Sequence, residues 1–170
     1  MSEPFKLNEF DRGLLAGFAR PVTFEALRAA EEGGPEAEAG VYAVIYPFHH
    51  GPEFVAVGSG GSHKGKDPNV AREELLERWV ADSRLLYFGK AGGTDKKTQL
   101  RKRISAFSRF GAGGKAGHWG GRLIWQIGGA QNLLVSWKAT PGEEPRAVEH
   151  RLIRQFVGHY CKLPFANLAD

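Results

Sequence analysis

Two side chains stand out for chemistry when the chain is read for residue type and spacing. Arg103 falls in Leu100-Arg101-Lys102-Arg103-Ile104-Ser105-Ala106-Phe107, where Leu100, Ile104 and Phe107 recur at i, i+4 and i+7 and predict a helix with one apolar face. Arg103 lies at the edge of that stripe. A guanidinium carried by a packed helix is a permanently charged, pre-aimed clamp for a phosphate. Glu149 falls in a second predicted helix, opened by Pro145 and running through Val157. It precedes Leu152 and Ile153 by three and four residues, so its carboxylate lies on the core-facing side. A carboxylate there is costly unless paired or bound to a cation. The plainer account of the same position is a first-turn glutamate favoured by the helix dipole.

Lesser candidates accompany them. Gly58-Ser59-Gly60-Gly61-Ser62-His63-Lys64-Gly65-Lys66 reads as a flexible basic loop, whose backbone N–H groups could cradle a phosphate. It lacks the Gly-Lys-Ser/Thr ending of a nucleotide-binding P-loop. Lys64 in this loop and Lys102 on the Arg103 helix are candidate phosphate contacts. His118 stands in the glycine-rich loop from Phe110 to Gly121, where it could touch a phosphate, assist proton transfer or do neither. The remaining histidines, His49, His50, His63, His150 and His159, show no His-x₃-His ligand spacing.

These residues must be positioned by a few elements. Gly40 to Phe48 is a buried strand, and Leu85 onward is a short apolar strand that stops at glycines, placing Tyr87 and Lys90 near its end. Leu133 to Thr140 is a further strand with Trp137 inside it. Between the first two, His49-His50-Gly51-Pro52 is a hairpin signal leading into a strand from Glu53 to Val57. Asp67-Pro68 then opens a helix that buries Leu75, Leu76, Trp79 and Val80. Arg122 to Ile127 is ambiguous by periodicity. In the N-terminal forty residues, Phe10, Leu14, Leu15 and Phe18 share helical spacing, and Thr23 is an N-cap candidate for a helix through Glu32. The run from Glu31 to Glu36 is a breaker. This region is expected to pack on the sheet or to offer a contact surface.

Gly40-Val41-Tyr42 and Tyr87-Phe88-Gly89, followed by Lys90-Ala91, Leu100-x-x-Arg103, Glu149 in a helix and the late Asn167, resemble the GIY-YIG nuclease family. Within it they look most like the nuclease domain of the bacterial excision-repair incision enzyme. The resemblance covers roughly the last three quarters of the chain. It implies an α/β (α+β) domain over residues 40–170, with a small, mainly antiparallel central sheet flanked by helices. Residues 1–39 then form an N-terminal helical extension, and about 49–83 a long insertion. It also implies a helix at Arg122–Ile127. Carried over, Tyr42 and Tyr87 are the candidates for taking a proton from water, and the residues leave open which one does. A free tyrosine has a pKa of about 10, so the base needs nearby positive charge, which Lys90 is placed to supply unless it bonds the water. Arg103 would steady the developing negative charge. Glu149 would be the metal ligand, since Mg²⁺ favours one carboxylate with several retained waters, and Mn²⁺ should substitute. Asn167 would position substrate or the glutamate. Phe88 stands where the family usually has isoleucine, and six extra residues separate Lys90 from Arg103.

Composition suits this reading. With 42% hydrophobic and 25% charged residues, the chain falls in the soluble globular class. The single cysteine, Cys161, excludes a disulfide and any multi-cysteine zinc site. No stretch is apolar enough to span a membrane and the acidic N-terminus is no signal peptide, so a cytoplasmic protein without a membrane partner is expected. Residues 1–40 hold eight acids and four bases, for a net of −4, whereas Lys90 to Arg122 holds nine bases and one acid, for a net of +8. That local field suits a polyanion, by the resemblance DNA, and binding through it would be salt-sensitive; a solvated basic face is the plainer account of the same charge. One strand cut per site is implied, so double-strand cleavage calls for a homodimer or two visits. The rival is a non-catalytic nucleic-acid-binding protein that keeps the nuclease fold.

Overall fold

A computed structural model describes residues 5–30, 34–93, 98–115 and 118–169. The sheet is organised around β2 (Gly40–Ile45), every residue of which is buried, as a continuous apolar run permits. Its alternate side chains enter two different cores. Tyr42 and Val44 pack with Leu100, Ile104 and Phe107 of α4 (Leu100–Gly111) on one face. Val41, Ala43 and Ile45 pack with Val148, Leu152, Ile153 and Phe156 of α5 (Pro145–Tyr160) on the other. Period two along the strand is what separates them.

With β1 (Val22–Thr23), β3 (Leu85–Ala91) and β4 (Leu134–Ala139), the sheet has the order β1-β4-β2-β3, and every neighbouring pair is antiparallel. Tyr42 lies opposite Gly89 on one side and Trp137 on the other, while Val44 lies opposite Tyr87. The register slips between Val44 and Ile45, so Leu86 and Tyr87 both reach the α4-side core, the local re-aiming that a bulge provides. The expected α+β class with a small antiparallel sheet between helices is what the chain forms.

As an edge strand, β3 presents outward N–H and C=O groups that need partners. The C-terminal segment supplies them. Ala166 N donates to Leu86 O at 2.8 Å, and the Asn167 side chain accepts from Phe88 N and donates to Phe88 O, both at 2.9 Å. Asn167→Ala leaves two buried backbone groups unsatisfied, each costing about 1–3 kcal/mol. The expected result is a melting temperature lower by roughly 5–15 °C, with faster amide exchange at Phe88.

The N-terminal stretch is woven into this sheet. Thr23 accepts from Ala26 N and caps α2 (Phe24–Ala29) as its residue type predicts. β1 pairs with β4. Phe24 is fully buried, edge-on to Phe107 and Trp125 at 5.7 and 4.9 Å. α1 (Glu9–Leu14) packs on α5. The breaker run expected from Glu31 falls in part, at 31–33, outside the described residues, as do residues 116 and 117 of the loop before His118.

Four sequence expectations change. The strand expected at Glu53–Val57 is reduced to a single bridge, Phe54 to Ile127, because Gln126 takes over its backbone. The buried Gln126 amide donates to Val55 O and Val70 O and accepts from Val70 N, while Val55 N donates to Gln126 O. The helix expected from Pro68 begins at Arg72 as α3 (Arg72–Arg78), since the Asp67 carboxylate bonds Asn69 N and Nδ2 and holds a turn there. Leu75 is buried in it but Leu76 is 51% exposed. Arg122–Gln126 is a 3₁₀ helix. The C-terminal helix runs past Val157 to Tyr160 and ends on Cys161 in the left-handed region, with φ of 59°. Among the described residues no helix is long and apolar enough to cross a membrane.

Candidate active site

Tyr42 on β2 and Tyr87 on β3 point to the α4 side of the sheet, and their ring centroids are 6.0 Å apart. Gly89 makes this possible. A Cβ at Gly89 would lie 2.4 Å from Tyr42 Cζ and 2.5 Å from its Oη, so the phenol ring occupies the place a side chain would need. Gly89→Ala therefore forces the Tyr42 ring out of position. Overpacking of this kind costs about 1–3 kcal/mol, and the expected drop in melting temperature is roughly 3–10 °C, with loss of whatever Tyr42 does.

His118, read from the sequence as a loop residue that could touch a phosphate, assist proton transfer or do neither, is fully buried. Its ring stacks on Phe107 at 4.1 Å with an interplanar angle of 12°, and its Nε2 lies 2.7 Å from Tyr42 Oη. Burial, aided by the positive charge of Arg103, pushes its pKa down to about 3, so at neutral pH the ring is uncharged. With the phenol protonated, Tyr42 Oη donates and Nε2 accepts. Nδ1 makes no well-directed hydrogen bond, though the backbone of His118 and Gly120 lies close to the ring.

The charges around the pair show which groups converge. Burial raises Tyr42 well above an ordinary phenol, the neighbouring Tyr87 raises it further, and Arg103 opposes both. Tyr87 is pushed up to about 12 by burial and then by the Glu149 carboxylate, again against Arg103. Glu149, half-buried, is raised above the usual carboxylate range by desolvation, against Lys90, Arg103 and Arg146. One guanidinium thus acts on two phenols, an imidazole and a carboxylate. Arg103 is within electrostatic reach of Tyr42, Tyr87 and Glu149.

Four expected members behave differently. Lys90 acts on Glu149 and is not among the charges that shift either phenol. It is three residues beyond Tyr87, and an odd step along a strand points to the opposite face. Asn167 is committed to the backbone of Phe88, so it shapes the strand that carries Tyr87 and does not reach into the pocket. Lys64 and Lys102 are exposed, and neither is among the charges acting on the pocket groups. Lys64 sits with φ of 52° in a tight turn closed by Lys66 N donating to His63 O.

Arg146 joins the site without having been singled out. Its signal in the sequence was its place one turn before Glu149 on the same helix. Among the described residues no three His, Cys, Asp or Glu side chains cluster around a common point. The Glu149 carboxylate is a hard oxygen donor whose chemistry suits Mg²⁺ or Mn²⁺ with retained waters. The chain matches no family model, no curated protein and no solved structure.

Proposed function

We propose that this protein is a metal-dependent endonuclease that hydrolyses DNA phosphodiester bonds by the chemistry its GIY-YIG resemblance implies. The observation that supports this most is the common reach of Arg103 to Tyr42, Tyr87, His118 and Glu149. Hydrolysis of a phosphodiester needs an activated water, stabilised charge at phosphorus and help for the departing oxygen. Arg103 binds the non-bridging oxygens and holds the charge that develops on them. Tyr42 Oη, held by its hydrogen bond to His118 Nε2, loses its proton to solvent and in the ionised form takes one from the attacking water. Tyr87, packed against it, orients that oxygen and keeps bulk water out. Glu149 would hold Mg²⁺ or Mn²⁺, which when bound supplies Lewis-acid stabilisation of the leaving oxygen. Lys90 and Arg146 keep the Glu149 carboxylate oriented and balance the incoming phosphate.

A supercoiled-plasmid nicking assay in Mg²⁺, comparing wild type with Glu149→Ala, tests the proposal. Nicking by wild type and none by the variant is the expected outcome. Equal and negligible nicking by both, together with retained DNA binding, would instead assign the chain to non-catalytic nucleic-acid binders. If both strands of a duplex are cut, a homodimer would supply the second site.

A further inference from the structure

The basic excess read from the sequence ends at Arg122, yet α5 carries two further exposed arginines in line with a histidine between them. Arg146, His150 and Arg154 recur at i, i+4 and i+8 and all three are exposed, so helical geometry sets them in one row. The row starts beside Glu149, because Arg146 lies three residues before it on the same helix and is one of three cations acting on it. From there it leads away along α5 for about 12 Å at 1.5 Å per residue. That length matches roughly three to four base-pair steps of one DNA strand.

Its surroundings leave the row accessible. α1 occupies the opposite flank of α5, where Phe10 stacks on His159 at 3.8 Å. A shallow groove of about 520 Å³ runs beside His150 and Arg154. Arg151 is engaged by Glu143 at 3.2 Å, whereas Arg154 forms no hydrogen bond or ion pair with another described residue. Around α3 the sign reverses. Glu73, Glu74 and Glu77 line a groove of about 710 Å³, and the ammonium of Lys162 beside it is already held by the carbonyls of Glu77 and Trp79. The same groove also holds Arg78, paired with Glu74 at 3.2 Å, so α3 offers no comparable row of cations to a polyanion.

We propose that the row Arg146, His150 and Arg154 tracks the phosphates of the DNA strand that leaves the pocket, which fixes the path of the substrate along α5. The inference rests on the nuclease reading above. Its test is binding of a fluorescein-labelled DNA duplex to the full chain in EDTA, measured between 50 and 200 mM salt for wild type, Arg154→Ala and Arg12→Ala. Each neutralised phosphate contributes about 0.9 to the slope of log affinity against log salt. Arg154→Ala should flatten the slope by about that amount and weaken binding about fivefold at 100 mM. Arg12→Ala, which removes an equal charge from the exposed face of α1, should leave both unchanged, and Arg154→Lys should restore the slope. Identical slopes for wild type and Arg154→Ala, or equal flattening by both alanine variants, would overturn the row. Plasmid nicking run in parallel separates the two readings. A wild type that nicks but shows no Arg154 effect removes the row alone. One that binds through Arg154 but never nicks removes the nuclease reading and leaves the row standing. One that neither binds nor nicks removes both.

Discussion

Glu149→Gln is expected to abolish the proposed nicking in Mg²⁺ and at the same time to raise the melting temperature at neutral pH. Both effects follow from one placement. The glutamine keeps the shape of the side chain but loses the charge that would hold a divalent cation, so a fall in rate of about a thousandfold or more is expected for losing the metal's contribution. The gain in stability comes from desolvation. Burial lifts the Glu149 pKa in the folded protein despite Lys90, Arg103 and Arg146 nearby, so the native state holds its proton more tightly than the unfolded chain does. The sign follows directly. A carboxyl whose pKa is raised on folding stabilises the protein below its unfolded pKa and loses that contribution as pH rises through the folded one. The difference in melting temperature between Glu149→Gln and wild type should therefore be small in acid and grow toward pH 7. The helix-dipole account does not apply, since α5 has no acidic residue in its first turn; a glutamate kept for its attraction to Lys90, Arg103 and Arg146 predicts the reverse, with the variant less stable at neutral pH. Paired measurement of melting and nicking from pH 4 to 8 decides between them.

Such a cost at a charged residue is characteristic of a site selected for chemistry over stability, and it bears on what a sequence can disclose. The elements that position the pocket were legible because each rests on a local rule. The spacing of Leu100, Ile104 and Phe107 defines the buried face of α4, Thr23 caps α2 as expected, and Pro145 opens α5. The pairing of the two tyrosine segments was implied by the resemblance alone, and the two strands do lie side by side. What escaped depends on contacts between distant residues. His118 is separated from Tyr42 by 76 positions, and nothing in its glycine-rich neighbourhood shows that it would be buried against Phe107. Asn167 has the right residue type for a substrate contact, but an uncovered strand edge claims its amide first. The misplacement of Lys90 was avoidable. Strand parity alone directs it away from the face of Tyr87, and proximity in sequence was the wrong guide.

The largest effect at the protein's own proton-handling groups is expected at the Tyr42–His118 pair. Tyr42→Phe removes the donor of a fully buried 2.7 Å hydrogen bond. His118→Phe removes the acceptor while keeping a ring to stack on Phe107. Each should cut the rate of nicking by about 10²–10⁴-fold, the usual share of general acid–base catalysis. Each should also cost about 1–3 kcal/mol in stability, because the surviving partner is left buried and unsatisfied. The double variant is the informative one. With both polar groups gone the site becomes apolar, so stability should recover toward wild type, while nicking falls no further than in either single variant because the two groups act as one unit. Strictly additive losses in rate would mean that the pair does not share a proton. The wild-type pH profile supplies an independent check. Burial places both phenols above the ordinary range, Tyr87 at about 12 and Tyr42 well above 10, and His118 at about 3. Below a pKa the ionised fraction of a phenol rises tenfold per pH unit, and above pH 3 the imidazole no longer titrates. The rate should then climb with unit slope from pH 6 to 9 without a plateau, and Tyr42→Phe should flatten it. A plateau near pH 7 in wild type would assign the base to a group outside this pair.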